Sequence, residues 1–185
     1  MDEGQTAPAG ARGGEAGDWR QKAGFLLVAL AVLAFDQWTK WLVEVHLPHL
    51  ASVKVIPGLL NFTHVRNTGV AFGLFASARG GDMHALALSL VGALALAVVL
   101  IYFWRTPAAD QLLLSALALV LGGAVGNLAD RLFRSPGFGE GAVVDFVRLG
   151  WWPTFNVADA AITVGIVILV LWALFASDDE EPAAT

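Results

Sequence analysis

Cysteine is absent from the chain. That excludes a disulfide framework and a thiolate metal site, and it excludes a protein anchored through its own lipidated cysteine. Charge is scarce as well. Asp, Glu, Lys and Arg make up 15% of the 185 residues, against about a quarter in an ordinary globular domain. The net charge of −5, drawn partly from the terminal "SDDEEPAAT", argues against a general nucleic-acid partner. His46, His49, His64 and His84 form no HExxH pattern, so a zinc protease is not supported and these imidazoles read as structural. The six serines and three lysines show no spacing that suggests a serine–lysine pair.

What the sequence has instead is apolar length. Hydrophobic residues make up 57% of the chain, and they are gathered into runs. A helical bilayer crossing takes about 20 largely apolar residues. Four segments qualify: Ala23 to about Val45, Ala85 to Trp104, Leu112 to about Ala129, and about Phe155 to Ala176. Soluble core helices seldom stay apolar all round over such lengths, so the runs are membrane spans. Trp38, Trp41, Trp104, Trp151 and Trp152 fall near the span ends, where an interfacial aromatic belt belongs. Residues 1–22 read as a disordered N-terminal tail without the apolar core of a cleaved leader. Residues 23–176 read as the transmembrane domain, and residues 177–185 as an acidic disordered tail. The first long connection contains β-branched alternations around Val53 to Ile56 and Leu60 to Val65, which suggest short strands at the membrane surface. "RSPGFGEGA", before the fourth span, reads as a Gly/Pro loop.

Polar residues are distributed unevenly over this topology. With four crossings, the C-terminal ends of spans one and three share a face with the N-terminal ends of spans two and four. Asp36, Lys40, Asn67, Asn127, Asp130, Arg131, Asp145, Asn156 and Asp159 all fall on that face. The other face has only the short link "RTPAAD" and the two tails. Ionisable groups in membrane segments are expensive, so one-sided clustering marks a functional site. Charge alone does not orient the chain, because basic residues occur on both faces.

The chemistry best supplied by this cluster is that of paired carboxylates. Two carboxyls held close together cannot both ionise easily and share a proton. The ionised one takes a proton from water while the protonated one polarises a scissile carbonyl. Apolar walls should raise the pKa of one of them. Asp145 and Asp159 are the natural pair, with Asp145 entering from a loop and Asp159 from the first turns of span four. Asp130 is a rival, and its neighbour Arg131 offers it a partner. Sequence position alone does not rank the three. Asp36 and Lys40 are spaced i,i+4, as in a helical salt bridge.

These residues sit in motifs that resemble the lipoprotein signal peptidases (signal peptidase II), a family of bacterial membrane aspartic proteases. "FDQWTK" carries Asp36 and Lys40. "VRNTGVAFGLF" carries Asn67 and Gly69, with Val70 where the family commonly has alanine. "GNLADR" carries Asn127, Asp130 and Arg131, "VVDF" carries Asp145, and "FNVADAAITVG" carries Asn156 and Asp159. Five short motifs in order, on the right topology, make the resemblance specific over about Phe25 to Ala176.

The resemblance implies an all-α membrane protein with four transmembrane helices. It adds a small extracytoplasmic β-sheet and a surface helix between helices 1 and 2. It implies a catalytic dyad of Asp145 and Asp159, with Asp36, Lys40, Asn67, Gly69, Asn127, Asp130, Arg131 and Asn156 binding substrate or supporting the site. No cofactor or metal is expected. The implied substrates are diacylglyceryl-prolipoprotein signal peptides, cut before the lipidated cysteine. The implied setting is the bacterial cytoplasmic (inner) membrane, in contact with its lipids. Both termini would be cytoplasmic, the active site would lie near the outer leaflet, and the enzyme is expected to be a monomer. Two other classes compete. A proton-coupled carrier would place its polar groups near mid-membrane rather than at one end, and a scaffold would use the cluster for assembly alone.

Overall fold

A computed structural model describes residues 11–68, 81–134, 138–139 and 141–176. Four helices are long and apolar enough to cross a membrane. The first, α1 (Ala11–His46), is followed by the hairpin β1 (Ser52–Ile56) and β2 (Leu60–Asn67), then by α2 (Gly81–Arg105) and α3 (Gln111–Phe133). A third strand, β3 (Val143–Leu149), precedes α4 (Val157–Ala176). Helices suit these apolar runs because every backbone donor and acceptor is satisfied within the segment. Proline marks two of the ends: Pro48 follows α1 and Pro107 follows α2, where neither can continue a helix.

The helix α1 begins at Ala11, ahead of the expected start at Ala23. The residues read as a tail continue the helix because they find partners. Asp18 pairs with Lys22 at 3.0 Å, Lys22 donates to the Trp104 carbonyl at 3.1 Å, and the Ala108 N–H donates to Asp18 at 3.2 Å.

The central helix is α3. Of its span, 56% is buried inside the protein, against 11% for α1 and for α2 and 17% for α4. Leu113, Leu114, Leu117 and Leu121 of α3 pack with Phe103 of α2 into the apolar core. Glycines let the neighbours come close: a Cβ on Gly126 would lie 2.6 Å from Asp36 Oδ2. The outward faces of α1, α2 and α4 keep Leu27, Leu30, Leu90, Leu94, Val167 and Leu171 exposed, a surface suited to lipid rather than water.

The sheet is three-stranded and antiparallel, in the order β1-β2-β3. The hairpin strands fall where alternation suggested. The third strand was read as loop, and this is a correction: "VVDFVRL" is a strand because it pairs with β2, Val65 opposite Asp145 and Asn67 opposite Val143. Beyond Leu149 the chain turns through Gly150 (φ +50°) and comes back, with Val147 and Phe155 exchanging both backbone hydrogen bonds at 2.8 and 3.0 Å. That return brings the start of α4 alongside Asp145. The surface helix expected between helices 1 and 2 falls on residues 69–80, outside the described residues.

Candidate active site

At the N-terminus of α4, Asn156 and Asp159 form a reciprocal cap. The Asp159 N–H donates to Asn156 Oδ1 at 2.9 Å, and the Asn156 N–H donates to Asp159 Oδ2 at 3.1 Å. This is the capping-box arrangement with a carboxylate at the third helical position. It holds the Asp159 side chain at the start of its own helix.

Asn156 also reaches the other aspartate. It is fully buried, and its Nδ2 donates to Asp145 Oδ1 at 2.7 Å. The second Asp145 oxygen accepts from Asn67 Nδ2 at 3.0 Å. Asp145 is buried to 3% exposure on β3, with amides rather than a cation bonded to it. Burial pushes its carboxyl up to about 6; the Asn67 bond opposes the shift and the charge of Asp159 adds to it. A carboxylate held by amides alone cannot fully offset desolvation.

The network continues into α3 and α1. Asn127 Nδ2 donates to Asp159 Oδ1 at 2.8 Å. Its Oδ1 accepts from Lys40 Nζ at 3.0 Å and from Asn156 Nδ2 at 3.2 Å. With its oxygen committed to Lys40, the Asn127 amide must present its NH₂ to Asp159. Lys40 Nζ lies 2.7 Å from Asp36 and 2.8 Å from Asp130, with all three side chains at 0% exposure. Asp36 in turn accepts from the Ala158 N–H at 2.9 Å, one of the free donors in the first turn of α4. Sequence separation hides this: the bond joins residues 122 positions apart.

Asp130 differs from expectation. It does not use Arg131. Its partners are Lys40, Arg134 at 2.7 Å, Gln37 at 3.0 Å and the Val144 N–H at 3.3 Å. Two cations, an amide and a backbone donor thus occupy its carboxylate. Arg134 also pairs with Glu44. Gln37, Glu44 and Arg134 are therefore site-supporting residues that sequence reasoning missed. The spacing of Asp130 and Arg134, i,i+4 on α3, was the available signal.

Arg131 Nη1 is buried without a hydrogen-bond partner among the described residues. Asp145, Asp130 and Asp159 are the carboxylates whose charge acts on it. Gly69 lies outside the described residues. His46 and His64 bond elsewhere: their rings donate Nδ1–H to the Leu42 and Leu47 carbonyls at 2.9 and 2.8 Å.

With this geometry in hand, comparison with known proteins gives one answer. The family profile described as signal peptidase (SPase) II matches residues 28–175. The lipoprotein signal peptidase of Acinetobacter baylyi is 38% identical over 157 residues, covering 82% of each chain. That of Mycobacterium avium is 40% identical over 158 residues, covering 83% of this chain and 80% of its own. A solved bacterial membrane enzyme superposes with a TM-score of 0.68 at 27% identity, over 88% of this chain and 94% of its own. A second does so with a TM-score of 0.65 at 30% identity, over 82% and 93%.

Proposed function

Because the chain belongs to the signal peptidase II family, we propose that Asp145 and Asp159 are the catalytic dyad with which it removes signal peptides from diacylglyceryl-modified prolipoproteins. The protein is a lipoprotein-processing protease, multi-pass in the bacterial inner membrane. The dyad activates water, and the bond it cuts is the one just before the lipidated cysteine.

The observation that carries it is Asn156. One residue bonds to both carboxyls, through its side-chain nitrogen to Asp145 and its backbone N–H to Asp159. Two acids held by one residue, one of them pushed up to about 6, are poised to share a proton. The ionised carboxylate takes a proton from water, and the oxygen so activated adds to the scissile carbonyl carbon. The protonated carboxyl donates to the carbonyl oxygen. The tetrahedral intermediate then collapses, the C–N bond breaks, and the leaving nitrogen takes a proton from the dyad. A coupled pair titrates as a unit, so the proton belongs to the pair. Arg131, with a buried N–H group that has no partner among the described residues, is suited to hold a substrate backbone carbonyl. Asn67, Asn127 and Asn156 orient the acids, and Lys40, Asp36 and Asp130 brace them. In this reading the termini are cytoplasmic, the dyad and sheet lie near the outer leaflet, and a monomer suffices without a cofactor.

The test is initial-rate cleavage of a diacylglyceryl prolipoprotein by folded Asp145→Asn, Asp159→Asn and the double variant. Each single change should lower the rate by about 10²–10⁴-fold or more. The double should be little worse than either, because residues acting as a unit are not additive. Robust cleavage by folded Asp145→Asn overturns the assignment.

A further inference from the structure

Beside the dyad lies a cleft of ≈ 780 Å³ whose lining includes Leu59 of the β1–β2 turn, Trp151 and Trp152, and Asp159, Thr163 and Val164 of α4. Asp159 is the one ionisable side chain among the described residues lining it. We infer that this cleft holds the acyl chains of the lipidated cysteine during cleavage, with Thr163 and Val164 forming its membrane-side wall. The inference rests on the function proposed above and adds where the lipid goes.

The proposed cut and the geometry of the cleft lead there. The scissile bond directly precedes the lipid-bearing cysteine, so the glyceryl group emerges within a few bonds of the dyad. Its chains therefore need a surface that touches Asp159 and is otherwise apolar, and this cleft does both. Its α4 wall descends from Asp159 to Val164, five residues and about 7.5 Å down the helix into the span. The Thr163 hydroxyl donates to the Asp159 carbonyl at 2.8 Å, so it asks nothing polar of an occupant. Trp151 and Trp152 are 87% and 54% exposed, and their rings meet edge to face at 5.4 Å. Indoles so placed belong at the headgroup level, where a glyceryl ester sits. The cleft volume is also in the range of sites that hold small molecules, about 300–1,000 Å³. A second cavity of ≈ 260 Å³, among Leu26, Leu96 and Leu121, has no dyad residue in its lining and is not a rival.

The decisive variant is Val164→Trp, which fills the lower cleft and replaces no residue of the dyad or its supports. Val167→Trp, at a position 51% exposed on the same helix but outside the cleft lining, is the control. Both are assayed as full-length protein on lipopeptides with either two-carbon or sixteen-carbon acyl groups. Val164→Trp should lower kcat/KM on the long-chain substrate about tenfold, the steric penalty of an overfilled apolar site, and leave the short-chain rate within about twofold. Val167→Trp should change neither. A Val164→Trp loss that is equal on both substrates, or that follows signal-helix length instead, overturns the inference while leaving the dyad reading intact. If the parent cleaves neither substrate, the proposed function itself fails. A second readout does not depend on turnover: a diazirine in the acyl chain, bound to Asp145→Asn protein, should crosslink to peptides containing Trp152 or Thr163. Excess unlabelled lipopeptide should compete that labelling away. Competed labelling on α2 instead places the lipid elsewhere.

Discussion

Two Asp–Lys pairs stand on the same helix with the same order and spacing. Asp18 and Lys22 lie near the start of α1, Asp36 and Lys40 near its end, each pair i,i+4. Their N–O distances are similar, 3.0 and 2.7 Å. Their surroundings are not. The Lys22 side chain is buried at 7% exposure but its partner Asp18 is 43% exposed, and the pair ties α1 to the end of α2 and the link after it through the Trp104 carbonyl and the Ala108 N–H. The Asp36 and Lys40 side chains are 0% exposed, and Lys40 also holds Asp130 and the amide that orients Asp159. Helical spacing makes an ion pair; position in the bundle decides whether that pair is a clasp or the foundation of a site. Exposed pairs contribute about 0–1 kcal/mol. Removing one member of a buried pair costs about 3–5 kcal/mol, because the remaining charge is left uncompensated.

The largest expected effect therefore follows Lys40→Met. Two buried carboxylates lose their shared cation, and Asn127 loses the contact that fixes its amide. Thermal unfolding in detergent should show a loss of about 3–5 kcal/mol, and cleavage should fall with it. Lys40→Arg should not restore the parent, since a planar fork does not replace a point charge shared among Asp36, Asp130 and Asn127. An unchanged unfolding temperature in Lys40→Met would erase the distinction between the two pairs.

That distinction also explains what could be read from the sequence. The four spans, the β1–β2 hairpin and the Asp36–Lys40 pairing are local signals, carried by hydropathy, alternation and i,i+4 spacing. The ordered motifs pointed to Asn127, Asp145, Asn156 and Asp159, which the structure joins in one network. Long-range partners were not legible. Gln37 meets Asp130 across 93 positions, and Arg134 meets Gln37 across 97; no period in the sequence encodes such a meeting. The strand at Val143–Leu149 was missed for the same reason, since it exists through its pairing with β2. One ion-pair partner of Asp130, Arg134, was missed because adjacency favoured Arg131. Successive helical residues point about 100° apart, whereas Arg134 is one turn on and shares the face.

A carboxylate buried without a bonded cation sharpens the contrast, and Asp145 is that case. Its folded-state value of about 6 lies above the ordinary carboxylate value near 4. Between those limits the folded protein holds a proton that the unfolded chain has released, so stability falls as pH rises. The drop should begin near pH 4, reach roughly 3 kcal/mol by the time Asp145 has ionised above pH 6, and then level off. Asp145→Asn should abolish that slope, as read by chemical denaturation across the range. A slope of opposite sign would mean that Asp145 is stabilised as an anion by more than the Asn67 and Asn156 bonds supply.

The smallest effect should come from the clasp. Lys22→Met removes an ammonium that bonds Asp18 and the Trp104 carbonyl, yet neither partner is left stranded. Asp18 is half in solvent and still accepts from the Ala108 N–H, and the Trp104 carbonyl lies in the last turn of α2, where water can reach it. The loss should stay within about 1 kcal/mol, a shift of roughly 2–4 °C in unfolding temperature for a chain of this size. Because the pair is partly solvated, added salt should shrink the difference between parent and variant, whereas salt should leave the Lys40→Met defect in place. Catalysis should not change, since no bond runs from Lys22 toward the dyad and the pair lies at the opposite end of the bundle. If Lys22→Met instead unfolds the protein or slows cleavage as Lys40→Met does, then burial is not what separates the two pairs, and the helix must transmit strain from one end to the other.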